Sequence, residues 1–320
     1  MDNIGIDIRV AAAVLQNNGL VAIPTETVYG LAANALSREA VVKIFEAKNR
    51  PSFDPLIVHV ASAADFEIYA QQISQSALQL AESICPGPVS FVFKKREIIP
   101  DLVTSGHPTV ALRVPNHDLT LNLLTQLNFP LAAPSANPFG YASPTNAQHV
   151  ADQLGKKVDY ILDGGNCKVG LESTILDFST SKPRVLRLGG LSLEFLEDHL
   201  GSKLEVRTSS SNPKAPGMLS AHYNPGKPVY VGDVEKLIEK YNGRKIGILS
   251  FDKIYNTVPT ENQRLLSKSG DLNEAAQNFF RLLREFNALN VEVVLAEWLP
   301  EEGLGRAIND RLKRAAATEV

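Results

Sequence analysis

The chain has 320 residues, more than one ordinary core accommodates, and its 44% hydrophobic and 21% charged residues are those of a globular protein of two domains. A net charge of −3 argues against a surface that grips nucleic acid over its whole extent, and no apolar run is long enough to span a bilayer. Cys85 and Cys167 are far apart and lack metal-ligand spacing, and the start Met1-Asp2-Asn3 is not that of a secretory leader, so a reduced, cytoplasmic setting is expected.

Short apolar runs at 20–23, 56–59, 90–93, 110–114, 131–133, 160–162, 173–177 and 185–188 predict strands. Residues 38–47, 76–84, 119–126, 146–154 and 193–200 carry apolar side chains at helical spacing and predict the helices between them. The pattern is α/β with a sizeable sheet, expected to be mixed because several strands follow one another without a helix. The polar residues at the strand ends are the candidates for chemistry. After 20–23 comes Pro24-Thr25-Glu26-Thr27-Val28-Tyr29-Gly30, either a hydroxyl-rich binding turn or a plain strand-to-helix connection with local capping. Lys48-Asn49-Arg50-Pro51 follows the predicted helix 38–47. Its two cations either complement the helix dipole or, held on a segment that Pro51 stiffens, meet a polyanion.

His59 lies in the run Leu56-Ile57-Val58-His59-Val60, where a core histidine with a satisfied ring is the simple account. Arg113 and Arg187 stand in the apolar runs Val110-Ala111-Leu112-Arg113-Val114 and Val185-Leu186-Arg187-Leu188. There they require either buried acidic partners or an anionic ligand. Ala133-Pro134-Ser135-Ala136-Asn137-Pro138, followed by Gly140 and Ser143-Pro144-Thr145, cannot extend a ladder and frees polar groups for a turn or a ligand. Asp163-Gly164-Gly165 and Glu172-Ser173-Thr174 repeat the arrangement. Residues 207–228 are dense in Ser, Pro and Gly and read as a long interdomain loop. Beyond it, strands at 245–249 and 291–296 and helices at 272–289 and 304–317 predict a smaller open-sheet domain. The expected boundaries are therefore 1–206, 207–228 and 229–320.

Familiar phosphate and hydrolase signatures are missing. Gly-x-Gly-x-x-Gly does not occur, and the Walker spacing from Gly165 to Gly170 is followed by Leu171-Glu172 in place of Lys-Ser/Thr. Hydroxyls, amides and cations without a nucleophile–base pair point to an enzyme that positions reactants and stabilises phosphate charge.

The runs 24–31, 48–51, 55–59, 86–88, 113–115, 134–137 and 172–174 occur in the order of the YrdC-type L-threonylcarbamoyladenylate synthase family. Pro216-Gly217-Met218 and His222-Tyr223 resemble the interdomain loop of its long form, and Gly303–Ala307 and Asn309–Leu312 are similar to its second domain. The resemblance implies a YrdC-like twisted mixed sheet with helices, joined to a smaller Rossmann-like domain. It implies synthesis of threonylcarbamoyl-AMP and pyrophosphate from L-threonine, bicarbonate and ATP, with Mg2+ accompanying ATP and no protein ligand assigned to it. A separate transferase complex would then modify tRNA, which the chain itself would meet at most indirectly. Carried over residue by residue, Thr27, His59, Arg113 and Ser173 hold threonine, and Lys48 and Arg50 face the phosphates. Thr109, Ser135, Asn137, Ser143 and Arg187 line the nucleotide, while Tyr223, with His222, closes over it. No general base is assigned. Relatives commonly carry basic residues between the loop's Met and His, where this chain has Leu219-Ser220-Ala221. The competing readings are an RNA-binding module and a carbamoyl-adenylate enzyme that starts from carbamoyl phosphate.

Overall fold

The computed structural model of the chain describes residues 3–208, 215–219 and 221–317; the Ser- and Pro-rich part of the interdomain stretch, 209–214, and Ser220 lie outside them. The architecture is the expected α/β one, with a large mixed sheet and a second, smaller sheet. Across the large sheet the strands run Ile4–Gly5, Tyr160–Leu162, Val21–Ile23, Gly30–Asn34, Leu131–Ala132, Ile57–His59, Thr109–Arg113, Val89–Lys95, Thr174–Asp177, Arg184–Arg187 and Glu205–Val206. Parallel and antiparallel neighbours are mixed: Ile57–His59, for example, is parallel to Thr109–Arg113, which is antiparallel to Val89–Lys95. The small sheet is parallel throughout, in the order Val229–Val231, Val293–Ala296, Ile246–Ser250, Gln263–Leu265, with crossover helices as such a sheet demands.

Several elements escape the hydrophobic pattern. The helix Ile8–Gln16 buries Ala11, Ala12 and Leu15 but leaves Val10 exposed, so its apolar residues do not mark one clean stripe. Gly30–Asn34 is mostly alanine and glycine, and it turns 24–30 into a connection between antiparallel strands, not the strand-to-helix link that its hydroxyls suggest. Packing at Gly30 is tight, since a Cβ would stand 3.2 Å from that of Ala133. Val229–Val231, Val234–Lys240 and Gln263–Leu265 complete the small domain.

Strand alternation gives the two faces of the large sheet different work. Val58, Leu112, Phe91, Phe93 and Leu176 join the main core with Val41, Ile44 and Phe66. Ile57, Ala111, Val92, Ile175 and Leu186 pack instead against Ala215 and Met218 of the interdomain stretch. On that second face the register sets His59 opposite Arg113, Ser90 opposite Ile175 and Ile175 opposite Arg187. The Phe91–Leu112 pair brings Arg113 opposite Ser90, so His59, Arg113 and Arg187 share one row across the sheet.

The second domain is fastened to the first. Tyr223 packs with Phe279, Phe280 and Phe286 of the small domain and with Val28 and Leu171 of the large one in a single core. Arg284 Nη1 donates to the Ala142 carbonyl (3.0 Å) and to Gln153 (2.7 Å). Among the described residues no helix is long and apolar enough to cross a membrane.

Candidate functional site

A narrow cavity of about 40 Å³ opens over the row of charged residues, walled by the 24–30 turn, the 133–135 segment and Glu172, and covered by Pro216, Gly217, His222 and Tyr223. The 24–30 turn is held by its own hydroxyls. Thr25 Oγ1 accepts from the Thr27 and Val28 amides (3.2 Å each) and lies 2.8 Å from Thr27 Oγ1. The neighbouring segment is laced to it, as the Leu31 amide donates to the Pro134 carbonyl (2.7 Å) and the Ala136 amide to that of Tyr29 (2.8 Å).

Arg50, His59, Arg113, Ser135, Arg187 and Tyr223 of the expected residues line this cavity, as does His222. Of the remaining expected residues, Thr27, Ser173, Ser143 and Lys48 hold groups that line it. Thr27 Oγ1 accepts from Arg113 Nη2 (2.9 Å), and Ser173 Oγ accepts from Arg187 Nη2 (3.0 Å). The Ser143 hydroxyl donates to Glu172 (2.8 Å). Lys48 is buried with its ammonium donating to the carbonyls of Ser135 (2.6 Å) and Asn137, so it pins the 135–137 loop. Asn137 Nδ2 donates to the Pro138 and Tyr141 carbonyls (2.8 Å each). Thr109 begins the strand that ends at Arg113, and its buried hydroxyl has no partner among the described residues.

The structure also supplies carboxylates that did not stand out in the sequence. Glu26 forms an ion pair with Arg113 at 2.8 Å, both side chains only 5% exposed. Asp54 pairs with Arg50 at 2.9 Å, and Arg50 further donates to the Asp54 and Pro55 carbonyls. Glu172 pairs with Arg311, from the last helix, at 3.1 Å. Arg187 differs. It donates to the Ser173 carbonyl (3.0 Å), the Ser173 hydroxyl and the Pro216 carbonyl (3.3 Å), and among the described residues no carboxylate lies within ion-pair distance of it. Arg187, whose acceptors are neutral, and Arg113, whose buried Nε has no partner among the described residues, have hydrogen-bonding capacity beyond their protein partners. Arg50 lines the cavity as well, with its Nε and Nη2 engaged by the Asp54–Pro55 segment.

Burial sets the protonation of the lining groups. It lowers His59 to about 3, with Arg113 adding to the effect. It lowers His222 to about 3 as well, against the pull of Glu172 and with help from Lys48 and Arg50. Burial would raise Glu172, but Arg311, Arg187 and the Ser143 hydroxyl hold it at about 2. The unfolded chain takes up a proton at each histidine below about pH 6.5 and the folded chain does not. Stability present above that pH is therefore lost as pH falls toward 3, by about 1.4 kcal/mol per unit for each histidine. Urea titrations at pH 7 and pH 5.5 are expected to show this slope, and His59→Asn is expected to lessen it by one proton.

The linker cover is anchored from the second domain. The His222 amide donates to the Arg314 carbonyl (3.2 Å), and the Arg314 guanidinium donates to the Leu219 carbonyl, to that of Thr208 (2.7 Å) and to Asp310. A cation thus reaches the stretch where the linker itself has Leu219 and Ala221. Tyr223 is held at φ 69°, a left-handed conformation rare for a bulky residue, with its ring 4.2 Å from that of His222 and 5.3 Å from that of Phe280. Among the described residues no group of three or more His, Cys, Asp or Glu side chains is placed to hold a metal ion.

The sequence profile of the Sua5–YciO–YrdC family, described as telomere recombination, matches residues 13–189, and the profile of the threonylcarbamoyl-AMP synthase C-terminal domain matches 191–317. The chain is 40% identical to threonylcarbamoyl-AMP synthase of Pyrococcus abyssi, over 98% of its own length and 95% of the relative's. It is 37% identical to the enzyme of that name from Bacillus subtilis, over 97% and 93% of the two chains. The crystal structure of Pyrococcus abyssi Sua5 complexed with L-threonine superposes with a TM-score of 0.91 at 40% identity, covering 97% of this chain and 94% of that one. Full-length HypF, at 21% identity and a TM-score of 0.51, shares the fold of the first domain over 57% of this chain and 29% of its own.

Proposed function

The chain belongs to the Sua5–YciO–YrdC family in its two-domain form, and we propose that the cavity beneath its linker makes threonylcarbamoyl-AMP. The activity is that of a nucleotidyltransferase acting on L-threonine, bicarbonate and ATP. The observation that carries the placement is the pairing of two buried guanidiniums in one cavity. Arg113 and Arg187 stand on one row of the sheet, three strand spacings or about 14 Å apart at the backbone, each with hydrogen-bonding capacity directed to no protein carboxylate. Two anionic substrates meeting in one site call for such a pair.

In this reading Arg113 takes the threonine carboxylate, and Thr27 and Glu26 fix the guanidinium plane. His59, neutral because buried, is a hydrogen-bonding neighbour and not a cation. Arg187, oriented by Ser173, meets the phosphates, with Ser135 and Tyr223 bounding the nucleotide. Threonine nitrogen adds to carbon dioxide with loss of a proton, or to bicarbonate with loss of water, to give the carbamate. A carbamate oxygen then attacks the α-phosphorus of ATP, and the bond to pyrophosphate breaks. The barrier falls chiefly through positioning and through cations on the departing charge. The linker residues exclude water from the labile carbamate. Magnesium enters as the counter-ion that ATP brings, neutralising phosphate charge. The carboxylates of this cavity are engaged by Arg50, Arg113 and Arg311, which supports a metal carried by substrate in preference to one held by the protein. The product serves a separate complex that transfers the threonylcarbamoyl group to tRNA, and Cys85 and Cys167, which form no disulfide, fit a cytoplasmic setting.

The test is mass spectrometry of a reaction of chain, ATP, threonine and 13C-bicarbonate. A labelled adenylate and pyrophosphate in equal amounts are expected. Label incorporation from carbamoyl phosphate instead would replace this reading with that chemistry.

A further inference from the structure

We infer that Arg311 of the second domain is a positioning residue of the nucleotide site, and that its task is to hold the Glu172 carboxylate away from Arg187. The inference rests on the adenylating activity proposed above and assigns the second domain a part in it.

Arg311 is fully buried, and it lies on the helix Gly305–Ala316, far in sequence from the residues that wall the cavity. A buried arginine is tolerated only when its donors are engaged. Here Nε and Nη2 both donate to one oxygen of Glu172, at 3.2 and 3.1 Å, and Nη1 donates to the Leu188 carbonyl and to that of Ala307 (3.3 Å), with Asp310, itself paired to Arg314, farther off at 3.5 Å. The guanidinium carbon lies 5.8 Å from the centre of the Tyr223 ring, so it also supports the aromatic cover. Glu172 lines the cavity together with Arg187, and its other oxygen accepts from Ser143.

Two charges decide what that carboxylate does. A buried carboxylate seeks a cation, and the Arg187 charge already acts on Glu172. Arg187 is the lining arginine without a carboxylate partner among the described residues. Without Arg311, Glu172 would be the nearest anion for Arg187 to satisfy, and an internal ion pair would stand where the ATP phosphates need an unshared cation. With Arg311 in place the Glu172 charge is answered from the second domain, and its other oxygen remains free to orient Ser143. A role confined to joining the domains would affect threonine and ATP alike, whereas this one is selective for ATP.

The experiment measures KM for ATP and for threonine, with kcat, in the full chain and in Arg311→Met, Glu172→Gln and the double variant. Gln keeps an acceptor for Ser143 and removes the charge. Arg311→Met is expected to raise KM for ATP about tenfold or more and to change that for threonine less than about threefold. Adding Glu172→Gln is expected to bring KM for ATP back to within about threefold of Glu172→Gln alone. If the single variant does not fold, the double variant, with neither charge of the pair, decides by the same criterion. An unaltered KM for ATP in Arg311→Met, or a double variant that stays as impaired as the single, overturns the inference while leaving the activity intact. A wild-type chain that forms no adenylate overturns both.

Discussion

Replacing Arg187 by Met is expected to lower kcat/KM for ATP by about 30- to 1,000-fold while the protein stays folded, a loss of about 2–4 kcal/mol of transition-state stabilisation. The size follows from what Arg187 lacks. Its donors go to the Ser173 carbonyl and hydroxyl and to Pro216, and burial lowers it to about 10, a cost relieved when a phosphate arrives. Because no carboxylate is ion-paired with it among the described residues, and Glu172 keeps Arg311, its removal strands no buried charge and the damage falls mainly on substrate. Arg50→Ala makes the contrast, for it strands Asp54 and is expected to cost about 3–5 kcal/mol of stability before ATP is considered. Thermal unfolding separates the two: a Tm near wild type for Arg187→Met and a clear drop for Arg50→Ala. Wild-type turnover of ATP by folded Arg187→Met would move the phosphate site elsewhere.

Arg113 and Arg187 were legible in the sequence because a charge within an apolar run is costly and asks for a reason. Of the two explanations open at that point, acidic partner or ligand, the structure supplies an acidic partner for Arg113 and none for Arg187 among the described residues. Arg113 has Glu26 as partner with a donor to spare, and Arg187 has only neutral acceptors. What the sequence could not supply is the pairing. Glu26 stands 87 residues from Arg113, and Glu172 lies 139 from Arg311; only strand register and the docking of the second domain bring them together. Hydroxyls at strand ends were likewise visible as Thr27, Ser143 and Ser173, but periodicity does not tell a residue that touches ligand from one that orients its neighbour. The alanine-rich helix Ile8–Gln16 and the strand Gly30–Asn34 were lost for a simpler reason, since small residues carry little of the size contrast on which hydrophobic patterning depends.

Arg113→Lys is expected to raise KM for threonine about 10- to 100-fold while changing ATP use little. Lysine preserves the positive charge beside Glu26, so the buried ion pair survives and the protein folds. What disappears is the planar fork. In the native site Arg113 Nη2 is engaged by Glu26 and Thr27, while the buried Nε is a donor without a protein partner among the described residues. A threonine carboxylate can complete that donor, and a compact ammonium already turned to Glu26 cannot serve both anions in the same geometry. A charged hydrogen bond of this kind is worth about 1.5–3 kcal/mol, which gives the stated range. Glu26→Gln sharpens the test in the other direction. It relieves Arg113 of its internal anion but loosens the plane that Glu26 fixes through the Asn116 amide, 3.1 Å from its second oxygen. Threonine should then bind with a weaker orientation, seen as a fall in kcat larger than any change in KM. Should Arg113→Lys bind threonine as the native chain does, with the thermal stability of the native chain, the carboxylate must be read by another group, and His59 and Ser135 on the same cavity wall are the residues to substitute next.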